Sequence, residues 1–254
     1  MSPIFRQTYT LTDSQADAFG RAKPSALLSM VQEIAGAHCL SLGTDWETLQ
    51  KKHLFWAVTR HHIQITRLPR LGQTITLETW PMPTTRVAYP RAVAAFDEAG
   101  KPLFQVISLW VLMDVSTRSM VLPEKSGITV DGLLRGNELS SPRALPAFQT
   151  EMQTLRQVQF CDLDRNQHMN NARYLDWAMD LLPSSFHRNH PVKDITLCYL
   201  SEASEGQQID LQWTHSPEDL FRLNGYRRTE DLSAPQERVF GAQLQFDTVF
   251  CKPI

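Results

Sequence analysis

The hexapeptide Gly72-Gln73-Thr74-Ile75-Thr76-Leu77 returns as Gly206-Gln207-Gln208-Ile209-Asp210-Leu211, an offset of 134 positions (206 − 72). The order of elements returns with it. Hydrophobic alternation and helical spacing predict a strand over 5–11, a helix from Ser25 to near Gly43, and strands over 54–67, 73–80, 87–97 and 103–114. Pro24 sits where a first-turn proline costs nothing, and Gly43 is a natural stop. The second half repeats this with a strand over 154–160, a helix over 172–182 ended by Pro183, and strands over 192–200, 207–215, 220–227 and 238–250. A duplicated strand–helix–strands unit has one apolar helix stripe to bury, and wrapping a sheet around that helix buries it. The expected organisation is α+β. Two units, 1–122 and 151–254, form one continuous sheet with two central helices. They are joined by a linker over 123–150 that carries Pro123, Pro142 and Pro146 and at most a short turn of helix.

Composition excludes several function classes. A formal net charge of −2 gives no global basic field, which argues against nucleic acid as a main partner. The four cysteines (Cys39, Cys161, Cys198 and Cys251) form no C-x-x-C pair and lie beside no histidine cluster. Free thiols are therefore expected rather than a zinc site or a disulfide framework. His61 and His62 are neighbours on a strand, so they face opposite sides and cannot share one ion. No metal and no cofactor are expected. The N-terminus lacks the basic start and apolar run of a signal peptide, and no stretch is apolar for the roughly 18–20 residues a bilayer span needs. The expected location is cytoplasmic.

The densest polar cluster is Asp162-Leu163-Asp164-Arg165-Asn166-Gln167-His168-Met169-Asn170-Asn171, between a strand and a helix. In an extended segment, Asp164, Asn166 and His168 share one side. Asn170 or Asn171 can cap the helix that follows. The free N–H groups at its start are suited to holding a developing oxyanion, which makes Asn170 and Asn171 candidate substrate-binding residues. Taken alone, the same residues would also suit an ordinary polar loop ending in an Asn cap.

The run Asp164-x-Asn166-Gln167-His168-Met169-Asn170-Asn171-x-x-Tyr174 resembles the signature of the acyl-acyl-carrier-protein (acyl-ACP) thioesterases, including the plant enzymes. In the first half, Phe55-Trp56-Ala57-Val58-Thr59-Arg60 and Ser108-Leu109-Trp110-Val111-Leu112-Met113 are also similar to segments of that family. The resemblance implies a tandem (double) hotdog fold, each half a long central helix wrapped by an antiparallel sheet. It implies Asp164, Asn166 and His168 as catalytic positions. It adds Glu202 from the pattern Tyr199-Leu200-Ser201-Glu202, which by itself would pass for a solvated turn glutamate. The plant members carry a cysteine after that glutamate; here the residue is Ala203, so a cysteine nucleophile is not expected.

Duplication supplies an internal control. Aligned on the helices, Asp164, Asn166 and His168 fall opposite Asp17, Phe19 and Arg21, and Glu202 falls opposite Leu68. The polar set belongs to the second half alone, which leaves the first half to shape an acyl pocket. The implied activity is hydrolysis of fatty acyl-ACP thioesters to free fatty acid and holo-ACP, ending fatty acid synthesis, with Glu202 or Asp164 activating water or attacking directly. An acyl-CoA thioesterase and a non-catalytic acyl-binding hotdog protein are the alternatives. Acyl carrier protein is acidic, so Lys51-Lys52, Arg67 with Arg70, and Arg227-Arg228 are candidate docking charges. Exposed sheet edges would allow a homodimer.

Overall fold

A computed structural model describes residues 3–150, 152–229 and 236–247. The chain divides into two compact units, Met1–Pro142 and Arg143–Ile254. The fourth cysteine, Cys251, and the end of the last expected strand lie outside the described residues.

In the first unit, β1 (Phe5–Thr10) leads through a short 3-10 turn to α1 (Pro24–Ser41) and α2 (Trp46–Gln50). Then follow β2 (Leu54–Ile65), β3 (Thr74–Pro81), β4 (Tyr89–Asp97), β5 (Pro102–Asp114), the two-residue β6 (Met120–Val121) and α3 (Pro123–Ser126). The antiparallel order is β1-β3-β4-β5-β2, with β6 on β5. Helix α1 buries Leu27, Leu28, Met30, Val31, Ile34 and Ala35. Each large side chain so removed from water contributes on the order of 1.5–3 kcal/mol. The opposite face of the sheet is covered as well: Trp80, Ala92, Ala94 and Ile107 pack under Leu133 and Leu139. Residues 123–142, expected as part of a linker, are thus a packed strap. Arg135 Nη1 pairs with Glu78 Oε2 at 2.6 Å, and the Tyr89 hydroxyl lies 2.8 Å from Ser126 Oγ.

The core of this unit is not wholly apolar. Arg91 donates to His38 Nδ1 at 3.0 Å and to Thr79 Oγ1 at 3.2 Å, which pins α1 to the sheet. Burial, and secondarily the Arg91 charge, hold the His38 imidazole down to about 4. Burial holds His61 down to about 3. Unfolded, both would protonate near pH 6.5, on the order of the model-peptide value. Between those limits the unfolded chain binds the extra protons, so stability falls as pH drops through that interval, by up to about 1.4 kcal/mol per pH unit for each histidine. The urea midpoint should decline from pH 6.5 toward 4, and His38→Gln should flatten the decline. A midpoint unchanged over that range would contradict the assignment.

The second unit repeats the topology. It comprises β7 (Gln153–Gln157), α4 (Arg173–Met179), α5 (Ser184–Asn189), β8 (Val192–Tyr199), β9 (Gln208–His215), β10 (Leu220–Arg227) and β11 (Glu237–Phe246), in the order β8-β11-β10-β9-β7. Its inner face sets Tyr174 of α4 against Phe240 at 4.6 Å and Tyr199 at 5.4 Å. Residues 143–150 attach here: Arg238 Nη1 donates to the Leu145 carbonyl at 2.8 Å. The second helix is shorter than the expected 172–182. After Met179 the chain makes tight turns, with Leu182 N–H donating to the Met179 carbonyl at 3.2 Å. The residue before a proline is pushed out of the α region, and Pro183 imposes that on Leu182. No helix among the described residues is long and apolar enough to cross a membrane.

Candidate active site

The loop between β7 and α4 is built on an aspartate-centred turn. The Asp164 N–H donates to the His168 carbonyl at 2.9 Å, the Gln167 N–H to the Asp164 carbonyl at 3.0 Å, and the Asn166 N–H to Asp164 Oδ1 at 2.7 Å. Gln167 takes a left-handed φ of 63° to close the turn. A short ladder then fastens the loop to the segment after β8. His168 bridges Ser204, and the Met169 N–H donates to the Ala203 carbonyl at 2.7 Å. That ladder brings His168 beside Glu202. His168 Nε2 lies 3.4 Å from Glu202 Oε2, with side chains 25% and 47% exposed, so the pair is formed yet open to a substrate.

The first unit contains the same loop without the pair. The Asp17 N–H donates to the Arg21 carbonyl at 2.7 Å, the Gly20 N–H to the Asp17 carbonyl at 3.0 Å, and the Phe19 N–H to Asp17 Oδ1 at 2.8 Å. Arg21 bridges Arg70, and the Ala22 N–H donates to the Pro69 carbonyl at 2.8 Å. Loop positions are offset by 147 (164 − 17, 168 − 21) and the facing segment by 134 (202 − 68, 204 − 70). The second copy is therefore 13 residues shorter between them (147 − 134), in keeping with its shorter helix. Where the second copy has His168 the first has Arg21, which forms an ion pair with Asp17 at 3.0 Å. Leu68 stands at the place of Glu202 and carries no charge.

Not every candidate meets the pair in the same way. Asp164 has one carboxylate oxygen engaged by its own loop. Asn166 is exposed. Asn170 Oδ1 accepts from the Ala172 N–H at 2.9 Å, and the Asn170 carbonyl accepts from the Arg173 N–H at 2.9 Å. Helix α4 starts at Arg173, one residue later than expected, and the Ala172 and Arg173 N–H groups at its start are already used. The Asn171 carbonyl accepts the Tyr199 hydroxyl at 2.8 Å. Ala203 is fully buried, Cys161 is exposed, and the buried Cys198 thiol donates to the Arg143 carbonyl at 3.5 Å.

Two residues near the pair were not singled out as site residues from sequence. Tyr174 closes the run that begins at Asp164. Burial raises its hydroxyl well above the usual phenol range; Arg227 opposes this in part, and Glu202 and Asp164 add to it. It is a neutral donor at pH 7. Arg227 is, from sequence, a candidate docking charge beside Arg228. Its Nη2 donates to the Glu202 carbonyl at 2.7 Å and to Ser201 Oγ at 3.0 Å, and its Nε lies 3.0 Å from Glu237 Oε2. Strand alternation is the signal that could have turned it inward: Arg227 faces Ile209, a core residue of β9. Among the described residues, no group of His, Cys, Asp and Glu is arranged to hold a metal ion.

Comparisons with known proteins agree with this architecture. The acyl-ACP thioesterase N-terminal domain family model matches residues 2–125, and the C-terminal domain model matches 147–235. A chloroplastic palmitoyl-acyl carrier protein thioesterase of Gossypium hirsutum is 26% identical over 214 residues, which are 78% of this chain and 52% of that protein. The chain thus spans about half the length of that curated relative. An acyl-ACP thioesterase from Bacteroides thetaiotaomicron superposes with a TM-score of 0.82 at 20% identity, covering 97% of this chain and 100% of that one. The 12:0-ACP thioesterase from Umbellularia californica gives 0.80 at 22%, covering 98% of each. These likenesses show the fold, a tandem hotdog of α+β class. With both domain models matched in order along the chain, the protein belongs to the acyl-ACP thioesterase family.

Proposed function

We propose that the chain hydrolyses fatty acyl-ACP thioesters to free fatty acid and holo-ACP, with its chemistry in the second unit. The observation that carries this is the His168–Glu202 pair at 3.4 Å, present in one copy of a duplicated loop and absent from the other. Glu202 takes a proton from water as the water attacks the thioester carbonyl. His168 orients that water, then receives the proton from Glu202 and passes it to the departing thiolate. The C–S bond breaks, and the products are a carboxylic acid and a thiol. Asn166 and the Asn170–Asn171 turn hold the thioester against the pair, with the Asn171 amide as the donor facing the developing oxyanion.

Asp164 is the anchor of the loop rather than a nucleophile. Its Oδ1 bond to Asn166 N–H has its counterpart in Asp17, in a copy that lacks the histidine and the glutamate. Asp164→Asn keeps an acceptor for the turn and should retain turnover within about tenfold. A nucleophile converted to an amide would lose about 10²-fold or more. The proposal as a whole is tested by steady-state kinetics on matched acyl-ACP and acyl-CoA thioesters. Faster turnover of the carrier-protein thioester carries it. Preference for the CoA thioester moves the chain to the acyl-CoA alternative, and hydrolysis of neither makes it an acyl-binding protein.

A further inference from the structure

The geometry points to Arg227 as the positioning residue that sets the Glu202 carboxylate against His168, an inference that rests on the role proposed for that pair. Glu202 follows the end of β8 in a bend and is itself 47% exposed on its side chain. A glutamate so placed has many rotamers, and its main chain needs an external hold to present one of them. Arg227, at the end of β10, supplies two bonds to that bend, one to Ser201 Oγ and one to the Glu202 carbonyl. Glu237, across the β10–β11 ladder from Arg227, holds the guanidinium from the other side.

The duplication gives an independent reason to see a dedicated tie here. In the first unit the corresponding bend carries Arg67, whose Nη2 donates to Asp97 Oδ2 at 2.7 Å. Arg67 corresponds to Ser201 (201 − 67 = 134). Asp97 faces Ile75 in its ladder as Arg227 faces Ile209, again 134 positions on (209 − 75). Both copies therefore tie this bend to the end of the same strand, with the cation moved from the bend to the strand. In the first copy the cation sits on the bend and the carboxylate on the strand. In the second the cation sits on the strand, and the bend offers a hydroxyl and a carbonyl. Moving the cation to the strand keeps the tie and leaves no basic side chain at the Arg67 position of the bend, where the second copy has Ser201.

The test is a double-mutant cycle on an acyl-ACP thioester, with Arg227→Gln, Arg227→Lys, Glu202→Ala and Glu202→Ala/Arg227→Gln. Arg227→Gln should lower kcat by about 10- to 100-fold with KM within about twofold, the scale of a misplacement near 1 Å. Arg227→Lys, which keeps the cation and can reach one acceptor, should recover part of the loss. In the Glu202→Ala background the Arg227 substitution should cost nothing further, because the group it positions is gone. A full additional loss in that background would overturn the inference and make Arg227 a group that acts on substrate directly. A wild-type rate for Arg227→Gln would overturn it as well. Glu202→Ala turning over at the wild-type rate would instead remove the role of the pair, and the inference with it.

Discussion

His168→Ala should lower turnover of an acyl-ACP thioester by about 10²-fold or more while the protein stays folded. The loop survives the change because its hold on the chain is through the main chain: the bridge to Ser204, the Met169 bond to Ala203 and the Asp164 bond to the His168 carbonyl use no imidazole atom. What is lost is the imidazole that faces Glu202 at 3.4 Å, the group to which the proposed mechanism assigns the proton transfer to the thiolate. A thioester hydrolase without it must expel a thiolate unassisted and must position water by the glutamate alone. The check is kcat together with the thermal midpoint. Full activity, or a collapse of the midpoint in step with activity, would remove the assignment.

Gly225→Ala should destabilise the second unit by about 1–3 kcal/mol. A Cβ at that position would overlap Cε1 and Cδ1 of Phe240 and come within 3.1 Å of Ile209 Cγ2. Phe240 is fully buried and packs at a tilt against Tyr174, with ring centroids 4.6 Å apart, so it has little space to turn into. Any shift passes to Tyr174, which senses Glu202, Asp164 and Arg227. The expected result is a lowered urea midpoint together with reduced turnover at temperatures where the variant is still folded. A midpoint unchanged from wild type would show that Phe240 moves aside freely.

The fold was legible because duplication imposes its own consistency. The alternating strands and the Gly72/Gly206 match required two strand–helix–sheet units, and both are present in the same strand order. The pieces that escaped are those whose stability is tertiary. Helix α2 has only five residues and is closed by the Asp45 side chain accepting from the Glu47 and Thr48 N–H groups. The strap over 123–142 has little periodicity, since it follows the sheet beneath it rather than a pattern of its own. The 172–182 stripe looked like one helix because Leu181 and Leu182 keep the spacing that Pro183 interrupts in space. At the site, the loop residues were visible as a polar cluster, and Glu202 followed from the resemblance. Arg227 was hidden by its neighbour: Arg227-Arg228 looks like surface charge until strand alternation separates the two side chains.

One carboxylate carries the proposed chemistry. Glu202→Gln preserves size and removes the negative charge to which the proposed mechanism assigns the proton from water. Hydrolysis of a fatty acyl-ACP thioester by this variant, followed as release of the free thiol, should fall by about 10²-fold or more with the fold intact. Release within about twofold of the wild-type rate would contradict a hydrolytic centre built on His168 and Glu202.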